Sequence, residues 1–228
     1  MNQYTNIRPG LTLAAPRITW AVQKLILLNV AVFALQTLAK PFEFYFLIGL
    51  RLGSPTVSEW FGFQPEWFLG GMLWTPFTYM FLHAGLVHLF MNMLWLFFFG
   101  PEVERTLGTR QFFRFYFFCG AAGVMATFFP YALFGVRPLV MGASGAVMGA
   151  MIAFAILEPD RQFFLFPLPV PINTRALVLI VVVLNIVSGL GEGGRVSVAT
   201  HFGGMAAGYL YMRFRPALSR WDLERRRA

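Results

Sequence analysis

Ser144 stands in the tetrapeptide Gly142-Ala143-Ser144-Gly145, and His201 opens the run His201-Phe202-Gly203-Gly204-Met205-Ala206-Ala207-Gly208. A serine hydroxyl becomes a nucleophile when a neighbouring base takes its proton, so a Ser–His pair is the smallest unit that can carry out acyl transfer. At a helix start, Ser144 would also lie among free backbone N–H groups and the positive end of the helix dipole. Such donors stabilise a developing oxyanion. Taken singly, each residue has a plainer use: Ser144 as a helix cap among packing glycines, His201 as a buried ring bonded to a backbone carbonyl. The glycine spacing joins them. Gly145 and Gly149 form one small-xxx-small face and Gly204 and Gly208 another, and such faces let two helices approach closely in lipid. His201 lies three residues before Gly204 and shares its face. Packing the two faces together brings the imidazole to Ser144. No acidic residue lies near them in their own segments, so the expected unit is a dyad.

His88 and Asn92 are spaced i, i+4 and share one helix face. Both side chains supply N–H donors, which suits an oxyanion hole completed by the Ser144 backbone N–H. A polar pair joining two helices is the simpler alternative. His83 lies five residues before His88. A metal held by His83, His88 and His201 is a rival idea, but acidic and cysteine ligands and the HExxH spacing are missing. No cofactor or metal is implied.

These residues need elements to position them, and composition says what kind. The chain has 228 residues, 57% hydrophobic and only 12% charged, with a mean hydropathy of +0.63. A soluble domain carries about a quarter charged residues. A disordered chain, a secreted disulfide scaffold and a soluble dinucleotide-binding enzyme are excluded, and Cys119 has no cysteine to pair with. Spans of ~20 apolar residues are expected at 17–39, 85–100, 111–134, 142–157, 174–190 and 196–214. Residues 40–84, with Trp60, Trp67 and Trp74, read as a long loop at the membrane interface, where Trp is favoured. The polar stretch PEVERTLGTR follows the second span, a proline-rich loop with Pro159, Pro167, Pro169 and Pro171 follows the fourth, and the turn GLGEGG follows the fifth. The chain divides into a tail at 1–16, a helical domain at 17–214 and a basic tail at 215–228.

The net charge of +8 does not point to nucleic acid, because the basic residues are spread over loops and tails. Placing both termini in the cytoplasm puts Arg8, Arg17, Lys24, Arg105, Arg110, Arg114, Arg161, Arg175 and the C-terminal arginines inside. Only Lys40, Arg51, Arg137 and Arg195 fall outside, beside Glu43, Glu59, Glu66 and Glu192. That bias follows the positive-inside rule. Thr37-Leu38-Ala39 could end a signal peptide, but the long polar head and apolar run favour a retained span. The second, fourth and sixth spans then run from outside to inside, which puts His88, Ser144 and His201 at one depth. Their location in hydrocarbon marks them as functional candidates.

The ordered set resembles the rhomboid intramembrane serine proteases. It comprises His83 and His88-Leu89-Phe90-Met91-Asn92, then Glu104-Arg105-Thr106-Leu107-Gly108, then Gly142-Ala143-Ser144-Gly145, then His201 with Gly204 and Gly208. The resemblance implies an all-α, six-transmembrane-helix bundle with a long membrane-associated first loop and a water-filled cavity open to the outer side. It implies Ser144 as nucleophile, His201 as general base, and His88, Asn92 and the Ser144 backbone as oxyanion hole. Glu104, Gly108 and His83 would be structural, and span five a mobile lateral gate. Transmembrane protein substrates and the lipid bilayer are the implied partners, in the inner membrane of a bacterial cell. Two positions depart from the family pattern: Trp74-Thr75 replaces a Trp-Arg pair, and Met148 replaces a tyrosine stacked on the catalytic histidine. A non-proteolytic rhomboid-like protein that binds membrane clients is the alternative.

Overall fold

The computed structural model describes residues 17–50, 56–137, 139–164, 171–189 and 194–225; at 41–50, 164, 194–197 and 215–225 only the backbone is described. The tail at 1–16, Arg51, Pro167, Pro169 and Glu192 lie outside the described residues.

The first helix, α1 (Trp20–Leu50), runs past the expected end of span one. Among its described side chains, Ala21, Val22, Leu25, Asn29 and Gln36 are buried, a helical spacing that faces the bundle. Leu27, Leu35 and Leu38 point away and are exposed. Three short helices follow, α2 (Val57–Phe61), α3 (Pro65–Leu69) and α4 (Thr75–Thr78), then a 3₁₀ turn at Tyr79–Phe81. Thr56 caps α2 with a reciprocal bond from Glu59, the capping-box arrangement readable as T-x-x-E. Where the family pattern has arginine, Thr75 is buried and donates to the Met72 carbonyl at 2.7 Å. Trp74 stacks on Trp60 and donates to its carbonyl at 2.9 Å.

The second long helix corrects the sequence reading. The polar stretch expected to follow the end of span two at Gly100 instead continues α5 (Leu86–Leu107) through Pro101, and α6 (Thr109–Met125) begins after Gly108 alone. Gly108 makes this turn at φ 78°, a region open to glycine without steric penalty. The helix can carry Glu104 because its carboxylate is fully employed. Glu104 accepts from the Ala21 and Val22 backbone N–H groups at 3.1 Å, and from the Thr19 and Thr109 hydroxyls. A buried carboxylate thus caps the first turn of α1, where free N–H groups and the helix dipole favour negative charge. Arg105 donates to the Arg17 carbonyl beside it.

Span three is also divided. A break at Ala126–Thr127 separates α6 from α7 (Phe128–Phe134). Pro130 has no N–H to return to Ala126, and the Ala126 carbonyl accepts from Phe129 instead, at 3.2 Å. The helix of the fourth expected span, α8 (Ser144–Leu157), starts on the candidate nucleophile. The proline-rich loop contains a short antiparallel pair that the sequence did not announce, β1 (Gln162–Phe164) with β2 (Pro171–Asn173). The last helices are α9 (Thr174–Gly189) and α10 (Gly194–Arg225), the latter continuing into the basic tail.

At the centre lies α8, packed against α10, α6, α5 and α9. Beyond its first turns the interior is aromatic: Phe99 meets Phe154 at 5.4 Å and Phe163 at 5.9 Å, with Phe112, Phe115 and Tyr116 fully buried nearby. The outward faces are apolar too, with Val87 75% and Leu184 61% exposed, as lipid contact allows. Trp20–Lys40, Leu86–Leu107 and Thr109–Phe134 are long and apolar enough to cross a membrane. The helices α8 and α9 are apolar but only 14 and 16 residues long. The chain is a mostly helical integral membrane protein.

Candidate active site

Ser144 is the first residue of α8, and its approach is held by backbone. Val140 exchanges two backbone hydrogen bonds with Phe63, at 2.8 and 3.0 Å, and Gly142 N–H donates to the Tyr79 carbonyl at 3.0 Å. Tyr79 is itself fixed, fully buried with its hydroxyl donating to the Gly120 carbonyl at 2.6 Å. The turn into Ser144 is therefore seated on the segment between α1 and α5.

Gly142 meets two demands at once. Its φ is 123°, a conformation L side chains rarely adopt. A Cβ there would also lie 2.7 Å from His88 Nε2 and 3.6 Å from Asn92 Nδ2. The His88 ring and Asn92 amide thus converge on the backbone two residues before Ser144. Asn92 is buried and donates to the His88 carbonyl one turn back, at 3.1 Å. Ser144, His88 and His201 are each only partly buried, whereas Gly142, Gly145 and Asn92 are buried around them.

Glycines set the approach of α8 to α10. A side chain on Gly204 would collide with the Gly145 carbonyl, and one on Gly208 would lie 2.6 Å from the Gly149 carbonyl. A Cβ on Gly149 would meet Cys119 Sγ at 2.6 Å, and one on Gly123 the Thr200 carbonyl at 2.8 Å, so α6 joins the same contact. A Cβ on Gly145 would stand 3.3 Å from Thr200 Cγ2. The Ser144–Gly145 turn accordingly faces the Thr200–His201 turn. No hydrogen bond joins Ser144 to His201 among the described residues; the contact is between the helices that carry them, at Gly145 and Gly204. Catalytic hydrogen bonds often tighten only when substrate binds.

His83 lies beside this group, not in it. It is fully buried, 5.1 Å from the His88 ring centroid, and neither of its ring nitrogens has a hydrogen-bond partner among the described residues. Burial, then the neighbouring His88 ring, pushes its imidazole down to about 4 against a smaller opposing pull from the Phe81 backbone. Its main chain is clamped by Gln36 of α1, which accepts from the His83 N–H and donates to the His83 carbonyl, both at 3.1 Å.

Gln36, Tyr79 and Asn185 escaped the sequence reading. The ring of His201 meets the side chain of Asn185, on α9, through Nδ1 and Oδ1. A polar residue in the apolar run LVLIVVVLNIV was a visible signal, by the same rule that singled out His88 and His201. Gln36 carried that signal as well. Tyr79 did not, because its role depends on a distant carbonyl.

The fold and this site define a class that comparison with known proteins identifies. Residues 70–216 match the Rhomboid domain, and the chain belongs to the rhomboid family. It is similar to Rhomboid protein 1, mitochondrial, of Saccharomyces cerevisiae (34% identity, covering 58% of this chain and 38% of that protein). It is also similar to Rhomboid protease GluP of Bacillus subtilis (30% identity, covering 72% of this chain and 31% of that protein). A shorter match, 33% identical over 60 residues, is to Rhomboid protease GlpG of Salmonella newport; it covers 26% of this chain and 22% of that protein. The chain thus spans well under half the length of each of these relatives.

Proposed function

We propose that this protein is an intramembrane serine endopeptidase that hydrolyses peptide bonds in or next to transmembrane segments. The observation that carries the reading is the packing of Gly145 on Gly204, which sets the Ser144 turn against the His201 turn while His88 and Asn92 close on Gly142. The names of two relatives as rhomboid proteases support it.

In this mechanism His201 takes the Ser144 proton as Oγ attacks the scissile carbonyl. The tetrahedral oxyanion is held by the Ser144 backbone N–H, free at the first position of α8, and by His88 and Asn92. His201 then passes the proton to the departing amine, and the C–N bond breaks. Water, deprotonated by the same imidazole, then attacks the acyl carbonyl; the bond from that carbon to Ser144 Oγ breaks, and His201 returns the proton to Oγ. Water must reach the site from one face, since the interior beyond α8's first turns is filled by Phe99, Phe112, Phe115 and Phe154. A helix of 14 residues rises about 21 Å, short of the ~30 Å hydrocarbon thickness. In a bundle crossing the membrane six times, Ser144 then begins below the outer surface. In this reading both termini are cytoplasmic, the orientation that the Lys/Arg bias favours, and the membrane is the inner membrane of a bacterial cell. Contacts agree: Arg17 and Arg105 meet at one end of the bundle, with Arg161 4.0 Å from Glu102.

A substrate helix must unwind before its carbonyls can be attacked, so helix-breaking residues near its outer end favour cleavage. The test is a reporter with such a segment, co-reconstituted with the protein in liposomes. Cleavage near the outer end by wild type and none by Ser144→Ala is expected; equal cleavage by both overturns the reading. That no hydrogen bond joins Ser144 to His201 among the described residues is the one observation that favours a non-proteolytic, client-binding rhomboid-like protein. That reading predicts reporter retention without cleavage.

A further inference from the structure

Asn185 lies on α9, a different helix from both Ser144 and His201. Its side chain is buried, 8% exposed, within an otherwise apolar stretch. Both ends of its amide are engaged. The Nδ2 group donates to the Val181 carbonyl, one turn back, at 2.8 Å. That bond fixes which way the amide faces and leaves Oδ1 directed at His201 Nδ1. An amide oxygen can only accept. Nδ1 therefore carries the proton, and Nε2 is the nitrogen with a free lone pair.

We propose that Asn185 is the positioning residue of the catalytic base: its Oδ1 holds the His201 Nδ1–H, fixes the tautomer in which Nε2 is unprotonated, and orients that nitrogen for the Ser144 hydroxyl. The inference rests on the Ser144–His201 reading and turns the expected dyad into a Ser–His–Asn arrangement. When Nε2 takes the serine proton, the ring becomes a cation, and the Nδ1–H···O bond strengthens as that charge appears. The Nδ1 proton stays in place throughout; the transferred proton leaves from Nε2 to the departing amine. An amide suits this position. Residues 174–189 and 198–214 hold no aspartate or glutamate, and a carboxylate buried here would carry a desolvation penalty that an amide avoids. The orienting group comes from a second helix, so the seating of α9 on α10 sets the ring. A Cβ on Gly189 would lie 2.7 Å from Val198 Cγ2, which marks how closely the two helices approach beyond this bond.

The competing role for Asn185 is simple adhesion between α9 and α10. Adhesion affects stability; positioning affects the rate of acylation in protein that is folded. The full chain in lipid nanodiscs is treated with an alkyl fluorophosphonate, and kinact, KI and the thermal midpoint are measured for wild type, Ser144→Ala, Asn185→Leu and Asn185→Asp. Asn185→Leu is expected to lower kinact about 10- to 100-fold, part of what a general base supplies, with KI and the thermal midpoint essentially unchanged. Asn185→Asp keeps an acceptor at the same reach and recovers most of that loss. Wild-type kinact in Asn185→Leu overturns the proposal and leaves the Ser144–His201 reading standing. So does a loss of rate in Asn185→Leu that is matched by a loss of thermal stability and is not recovered in Asn185→Asp. A wild type that labels no faster than Ser144→Ala overturns the serine-hydrolase reading and this inference with it.

Discussion

Gly204 of α10 rests on the carbonyl of Gly145 of α8, leaving no room for a side chain between them. Lipid tails are as apolar as the helices, so burial supplies little drive for this pairing and close van der Waals packing must hold it. The contact lies one residue after Ser144 and three after His201, so helix packing and the geometry of the proposed chemistry are one arrangement.

Gly204→Val forces α10 away from α8. Overpacking of this kind destabilises by about 1–3 kcal/mol, and fluorophosphonate labelling of Ser144 should fall at least tenfold in protein that remains folded. Val at Tyr209, which is 53% exposed on the same helix, should leave labelling unchanged. Equal labelling by both variants contradicts the role given to the glycine face.

The proposed oxyanion donors should affect rate and not stability. Asn92→Ala is expected to lower the rate of reporter cleavage about 10²–10³-fold, the usual loss for one such donor. His88→Ala should lower it in the same direction. A thermal midpoint near that of wild type, measured on the same samples, separates this from unfolding.

Glu104 should behave in the opposite way. Glu104→Ala leaves the buried N–H groups of Ala21 and Val22 unpaired, at about 1–3 kcal/mol for each such group. Unfolding measured in mild detergent should show the loss. Glu104→Gln keeps an acceptor and should recover part of it. The fraction that stays folded should label at Ser144 as fast as wild type.

His83 gives a dependence on pH. Its folded pKa is about 4 against an ordinary 6.5, with burial the main cause. The unfolded chain therefore binds a proton between these values that the folded chain does not, and folding is weakened as pH falls through that window. The effect is absent above about pH 7 and levels off below 4. Replacing the ring with an apolar one, His83→Phe, should flatten the fall in thermal midpoint between pH 7 and 4.5. An unchanged slope contradicts the buried, neutral state of His83.

The sequence made the helices legible because apolar runs and glycine spacing are local signals. The pairing of Gly145 with Gly204 could be anticipated from two small-xxx-small faces alone. The continuation of α5 through Pro101 to Leu107 could not, because Glu104 looks like a loop residue until the first turn of α1 is placed against its carboxylate. The break before α7 follows from Pro130, which reads as tolerable within a long apolar run. The β1–β2 pair gave no alternation long enough to read. Among the candidate site residues, His88, Asn92, Ser144 and His201 were singled out by residue type and glycine spacing taken together, each being ambiguous alone. Asn185 needed the third dimension, since nothing in the spacing from 185 to 201 says that one amide oxygen and one ring nitrogen meet.

The most direct measurement is a map of the fluorophosphonate adduct by mass spectrometry on purified, lipid-embedded protein. The Ser144–His201 mechanism predicts a single phosphonylated peptide carrying Ser144, absent in Ser144→Ala and strongly diminished in His201→Ala although both variants stay folded. An adduct on another serine, or undiminished labelling without the imidazole of His201, contradicts it.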